Sequence, residues 1–140
     1  MPAKDIQQHT SQSIIDLFAT HKSWEDKYRQ ILQLSKNLET MDKDFQTEEY
    51  RVKGCESDVF LKISQDPDTL IYHFEAASNA RIVRGLLVII LGAYQHSNKA
   101  QINAFKIEDY FGKLDLLKHL SPSRANGIHA ICEKIRQLGQ

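Results

Sequence analysis

The chain reads as an α+β protein: a three-stranded antiparallel sheet packed against helices in a single domain. Three observations lead there. Helical spacing of apolar residues gives way, between Tyr50 and Phe74, to alternation of apolar and polar residues, and it returns from Asn79 onward. The run Ile82, Val83, Leu86, Leu87, Ile89, Ile90 and Ala93 covers most of a helix circumference, so that helix belongs at the centre of the fold. At 140 residues the chain suits one domain, which buries roughly two-thirds of its unfolded surface.

Residues 1–10 are polar and are expected to form a flexible N-terminus, with the domain spanning 11–140. Ile14, Ile15, Leu17 and Phe18 predict a first short helix. Trp24, Tyr28, Ile31, Leu32 and Leu38 follow helical spacing, and Ser23 is placed as its N-cap. Residues 43–47 read as irregular. Tyr50 and Val52 alternate with charged residues ahead of Gly54 and Cys55, which predicts a first strand. Val59, Leu61 and Ile63 alternate with Phe60, Lys62 and Ser64 in a second, half-buried strand. Asp66-Pro67-Asp68 is a turn signal, and residues 70–74 read as the third strand of an antiparallel meander. The helix from Asn79 covers one face of that sheet. Residues 99–105 and 107–114 are shorter helices. Ser121-Pro122 marks a sharp helix start, and Ile128, Ile131, Cys132, Ile135 and Leu138 form the stripe of the last helix.

Hydrophobic residues make up 41% of the chain and charged ones 26%, the balance of a soluble globular protein. Eighteen basic residues offset eighteen acidic ones, so no Lys/Arg block is available to displace counterions from a nucleic acid. The apolar stretch Gly85 to Tyr94 is far short of the ~20 residues that cross a bilayer and reads as a buried core helix, not a membrane span. The start M-P-A-K-D-I-Q-Q-H lacks an apolar run, so no secretory signal is expected. With only two cysteines, far apart, the expectation is no structural disulfide and a reducing, cytoplasmic setting. Two are also too few for a Cys-rich zinc or iron–sulfur site. No two histidines stand at i+3 or i+4 to each other, which argues against zinc, and no Gly-rich phosphate loop is present.

One residue is placed for chemistry. Cys55 follows Gly54 at a break between two strand-like runs, flanked by Lys53, Glu56, Ser57 and Asp58. A thiol on a turn between rigid elements is exposed and aimed, as a nucleophile must be. The competing reading is a small hydrophobe at a strand end, since free cysteine is among the most buried residue types. Both readings stand at this point. Cys132, on the apolar stripe of the last helix, reads as inert packing. The segment L-S-P-S-R-A-N-G-I (residues 120–128) holds more functional residue types than a helix start requires. Arg124 there opposes the helix dipole. Arg81 and Arg84 raise the same question at the start of the core helix. A cation beside Cys55 would lower its pKa and favour thiolate.

Three blocks in this order and spacing resemble the SufE family of sulfur acceptors, which includes the related CsdE proteins: V-K-G-C-E-S-D-V-F-L around Cys55, S-N-A-R-I-V-R-G-L-L at 78–87, and D-Y-F-G-K-L-D-L-L-K-H-L-S-P-S-R-A-N-G-I at 109–128. W-E-D-K-Y-R-Q-I-L at 24–32 fits as well, so the resemblance spans residues 14–138. It implies sulfur relay. A PLP-dependent cysteine desulfurase, SufS- or CsdA-like, builds a persulfide on its own cysteine. The acceptor then takes the terminal sulfur onto the position that is Cys55 here and passes it to an iron–sulfur scaffold or another acceptor. Desulfurase turnover rises, PLP stays in the partner, and the acceptor binds no cofactor or metal. On this reading Gly54, Glu56, Ser57 and Asp58 shape the turn, while Lys53 and Arg124 meet the partner. Departures from the family pattern are Phe60, where tryptophan is common, and Asn79, where aspartate is frequent. The alternatives are a stand-alone thiol enzyme using Cys55 as nucleophile, which would need a histidine or cationic pocket beside the sulfur; an iron–sulfur scaffold, which wants about three thiolates; and a structural interaction module.

Overall fold

A computed structural model of the chain describes residues 9–39 and 41–140. The expected flexible stretch 1–10 lies outside them except for His9 and Thr10. Thr10 closes a reciprocal cap with Ser13 at the start of helix α1 (Ser11–Phe18), which buries Ile14 and Phe18. Helix α2 (Trp24–Leu34) starts at Ser23, whose hydroxyl accepts from the Asp26 amide, with Glu25 and Asp26 in the first turn where the dipole favours acids. It then tightens into a 3₁₀ turn at Ser35–Asn37.

The sheet has two strands. Strands β1 (Val59–Gln65) and β2 (Tyr72–Ser78) pair antiparallel, from Val59 opposite Ser78 to Gln65 opposite Tyr72. The first of the three expected strands, at Tyr50–Val52, is corrected to a single bridge between Arg51 and Phe60. The reason is local. Residues 42–50 carry four acids and no alternating apolar set, and they coil into 3₁₀ turns at Lys43–Phe45 and Glu48–Tyr50. Only Arg51 and Val52 stay extended before Gly54 turns the chain away at φ +93°. The strand expected over 70–74 begins later, because Leu70 sits in the turn with φ +64°.

Helix α3 (Arg81–Tyr94) fills the centre and buries ten of its residues. It crosses α2 so closely that a Cβ on Gly85 would lie 2.0 Å from the Ile31 carbonyl oxygen, so only glycine fits there. At its C-terminal end the Gln95 carboxamide accepts from the Phe74 amide (2.8 Å) and donates to the Phe74 carbonyl (3.1 Å), lining the outer edge of β2. Short helices α4 (Lys99–Ala104) and α5 (Ile107–Leu114) follow, and then α6 (Pro122–Arg136), capped by Ser121 with Pro at its first position. Lys27 of α2 reaches the C-terminal end of α5. Its ammonium donates to the carbonyls of Leu114 (3.2 Å) and Asp115 (3.4 Å) and sits 3.6 Å from the Asp115 carboxylate. A buried ammonium is tolerated because its donors are met this way. Among the described residues no helix is long and apolar enough to cross a membrane.

Candidate functional site: the Cys55 loop

The loop that carries Cys55 is closed at its mouth by backbone and side chain together. The Val52 amide donates to the Val59 carbonyl at 2.8 Å. One layer out, the Arg51 guanidinium holds Asp58 at 2.6 Å and Glu48 at 3.0 Å, lying over the Phe60 ring 5.0 Å from its centroid. The Asp58 amide donates to the Asn79 side-chain oxygen (3.1 Å), which ties the loop to the junction between β2 and α3. Residues 53–57 are therefore a short bridge between anchored ends. Gly54 makes its reversal possible with a φ that a side chain would strain.

That bridge leans on α6. The Cys55 thiol donates to the Gly127 carbonyl at 3.6 Å. The packing is close: a Cβ on Gly127 would be 3.4 Å from the sulfur, and one on Gly54 would be 3.4 Å from the Ala130 methyl, both at ordinary contact distance. Beside the sulfur is a cavity of about 20 Å³ walled by Val59, Val83, Gly127, Ile128 and Ile131. The thiol is half-buried, and burial pushes its pKa above the ordinary cysteine value. At rest Cys55 is a neutral thiol turned inward, with solvent close by.

The other expected residues fall into place unequally. Glu56, Ser57 and Arg124 line the same cavity, Arg124 from the first turn of α6, where its amide donates to the Ser121 hydroxyl. The fold thus brings residues 55 and 124 together from distant parts of the chain. Asp58 anchors the loop, and Lys53 is exposed beside it. Arg84 donates to the Ser78 carbonyl (3.0 Å) and braces the joint between β2 and α3, and Arg81 is exposed on the first turn of α3. Cys132 is 5% exposed in the core, and burial pushes its pKa up to about 12. It lines a separate groove of about 630 Å³ between α5 and α6, together with Phe111 and Leu116. Sequence reasoning missed Gly127 and Arg51. Gly127 carries no local signal, since its partner lies 72 positions away; Arg51 could have been noticed as a cation spaced to reach Asp58 across a turn. Among the described residues no group of three His, Cys, Asp or Glu could hold a metal ion. No described histidine lines the Cys55 cavity. The arrangement offers one sulfur nucleophile in a shallow seat, with an apolar inner wall, Glu56, Ser57 and Arg124 on the outer side, and no histidine among the described lining residues.

The family described as SufE, Fe-S metabolism associated domain, matches residues 12–139. The chain is 39% identical over 125 residues to an uncharacterized SufE-like protein of Rhizobium meliloti, an alignment covering 88% of this chain and 89% of that one. It is 34% identical over 126 residues to the sulfur acceptor protein CsdE of Escherichia coli, covering 90% and 85%. A solution structure of a hypothetical protein from Thermus thermophilus shares the fold at TM-score 0.71 and 14% identity, over 92% of both chains.

Proposed function

The chain belongs to the SufE family, and from that premise we propose that it is a sulfur acceptor and carrier working with a PLP-dependent cysteine desulfurase. Cys55 receives the sulfur as a persulfide, the desulfurase turns over faster because its product is removed, and the sulfur moves on to iron–sulfur cluster assembly or another acceptor. The protein is an accessory to an enzyme in the cytoplasm and carries no cofactor of its own. The observation that supports this best is the loop itself: a lone cysteine on an anchored five-residue bridge, resting in a shallow seat that no described histidine lines.

The chemistry asks for little more. The Cys55 thiolate attacks the outer sulfur of the donor's persulfide; a new S–S bond forms on Cys55, and the donor's cysteine leaves as thiolate. In its seat the thiol is held neutral by burial, so nucleophilicity rises when the loop swings out toward the donor. Gly54, Ser57 and Asp58 shape the loop; Lys53, Glu56 and Arg124 surround it on the accessible side and contact the partner.

The test is to incubate the protein with a cysteine desulfurase and free cysteine and to weigh the tryptic peptides. An added mass of about 32 Da on the peptide carrying Cys55 is the expected result. Sulfur on Cys132 instead, or on neither cysteine with any desulfurase tried, would overturn the proposal.

A further inference from the structure

The space beside Cys55 has a size, and that size selects among the groups the sulfur can carry. The cavity holds about 20 Å³, and a single water-sized atom needs about 10–15 Å³. A persulfide adds one sulfur, bonded about 2.05 Å beyond the first. Glu56, Ser57, Ser123 and Arg124 line its more exposed side, and the buried inner wall is five residues. Four of these are the β-branched residues Val59, Val83, Ile128 and Ile131, all buried in the main core, and such side chains have little rotamer freedom with which to yield. The fifth, Gly127, contributes no side chain. A methyl group on it would touch the sulfur at 3.4 Å, an ordinary contact that the bare thiol tolerates, but it would take up the free space.

We infer that Gly127 is a specificity-determining residue that sizes the Cys55 seat for one added sulfur atom and for nothing larger. The persulfide swings back into the seat and is sheltered. A disulfide to any organic thiol is too large, stays outside and is open to reduction. The loop thereby sorts productive cargo from oxidative by-products. This rests on the reading that Cys55 carries sulfur, and it adds the residue and the size limit that keep that cargo distinct.

The test does not need a desulfurase. Sodium tetrasulfide loads the full-length protein: the Cys55 thiolate attacks a sulfur of the tetrasulfide dianion, a persulfide forms and trisulfide leaves. Methyl methanethiosulfonate makes the methyl disulfide, one carbon larger, and releases methanesulfinate. Dithiothreitol then strips each adduct. Its thiolate attacks the outer sulfur of the persulfide, and its second thiol closes the ring and expels sulfide, so dithiothreitol is oxidised and the carried sulfur reduced. On the methyl disulfide the same ring closure restores Cys55, and methanethiol leaves. Each rate is followed by mass spectrometry and divided by that of the same adduct in urea-unfolded protein. The wild type is expected to protect the persulfide at least tenfold and the methyl disulfide less than twofold. Gly127→Ala, whose fold is checked by circular dichroism, should lose the persulfide protection. Val83→Ala widens the seat and should extend protection to the methyl disulfide. Equal protection of the two adducts in the wild type, an unchanged persulfide lifetime in Gly127→Ala, or tetrasulfide that leaves Cys55 unlabelled would each overturn the inference. A seat that sorts adducts in a protein no desulfurase can load would leave this inference standing and remove the proposed function.

Discussion

Helix α6 separates two thiols of opposite character. On one side Cys55 leans against Gly127; on the other Cys132 lies in the core, in the wall of the α5–α6 groove. Burial raises the pKa of both, so neither is activated at rest. What distinguishes them is the backbone behind each. Cys132 sits in the middle of a hydrogen-bonded helix, 5% exposed in the groove wall, where its backbone is held on both sides. Cys55 sits on five residues between anchored ends, outside the sheet, packed beside glycines and held by one weak sulfur hydrogen bond. Availability of a thiol in this fold is thus set by the cost of moving its support and not by the charge around it.

That contrast can be broken most directly by deleting each sulfur in turn. Cys55→Ser should abolish desulfurase-dependent sulfur uptake, a loss of roughly a hundredfold or more, whereas Cys132→Ser should change it less than about twofold; radiolabelled cysteine and gel autoradiography read both. A smaller effect is expected from the loop backbone. Gly54→Ala strains a φ of +93° by about 1–2 kcal/mol, which should loosen the inward seat and speed iodoacetamide labelling of Cys55 about tenfold, without labelling Cys132.

The buried side of the comparison has a pH signature. With its pKa at about 12 in the folded protein and about 8.5 unfolded, Cys132 keeps its proton in both states below about pH 8.5 and contributes no slope there. Above that the unfolded chain releases the proton first, so stability falls as pH rises, by up to about 1.4 kcal/mol per pH unit. Urea melts at pH 8 and pH 10 should show a loss of about 1–2 kcal/mol, and Cys132→Ala should remove most of it. Burial also raises Tyr94 and Tyr110, which steepens the decline only above about pH 10. The least effect belongs to the clasp. Asp58→Asn weakens an ion pair that is partly exposed and screened by salt, so Cys55 labelling should rise only about twofold, and the difference should shrink in high salt.

Much of this arrangement was legible in the residues. Gly54 before Cys55 signalled the turn that carries the thiol, the all-round apolar run marked α3 as the centre, and Ser121-Pro122 located the start of α6. What escaped depended on partners distant in the chain. Val52 alternates as a strand residue should and its amide reaches Val59, yet the pairing stops at the Arg51–Phe60 bridge because residues 42–50 coil into 3₁₀ turns; a strand is a property of two segments, and only one can be read at a time. Lys27 looks like a solvated helix residue until the carbonyls of Leu114 and Asp115 arrive to receive it. Gly127 has no meaning as a helix residue apart from the sulfur it faces.

Gln95 carries one more consequence. Its carboxamide meets Phe74 as the peptide group of a neighbouring strand would, so part of the border of a two-stranded ribbon is finished by a single amide. A bare rim there would be a template for stray chains. The same amide locks the exit of the central helix to the ribbon, so the scaffold behind the Cys55 bridge has one joint fewer at which it could drift.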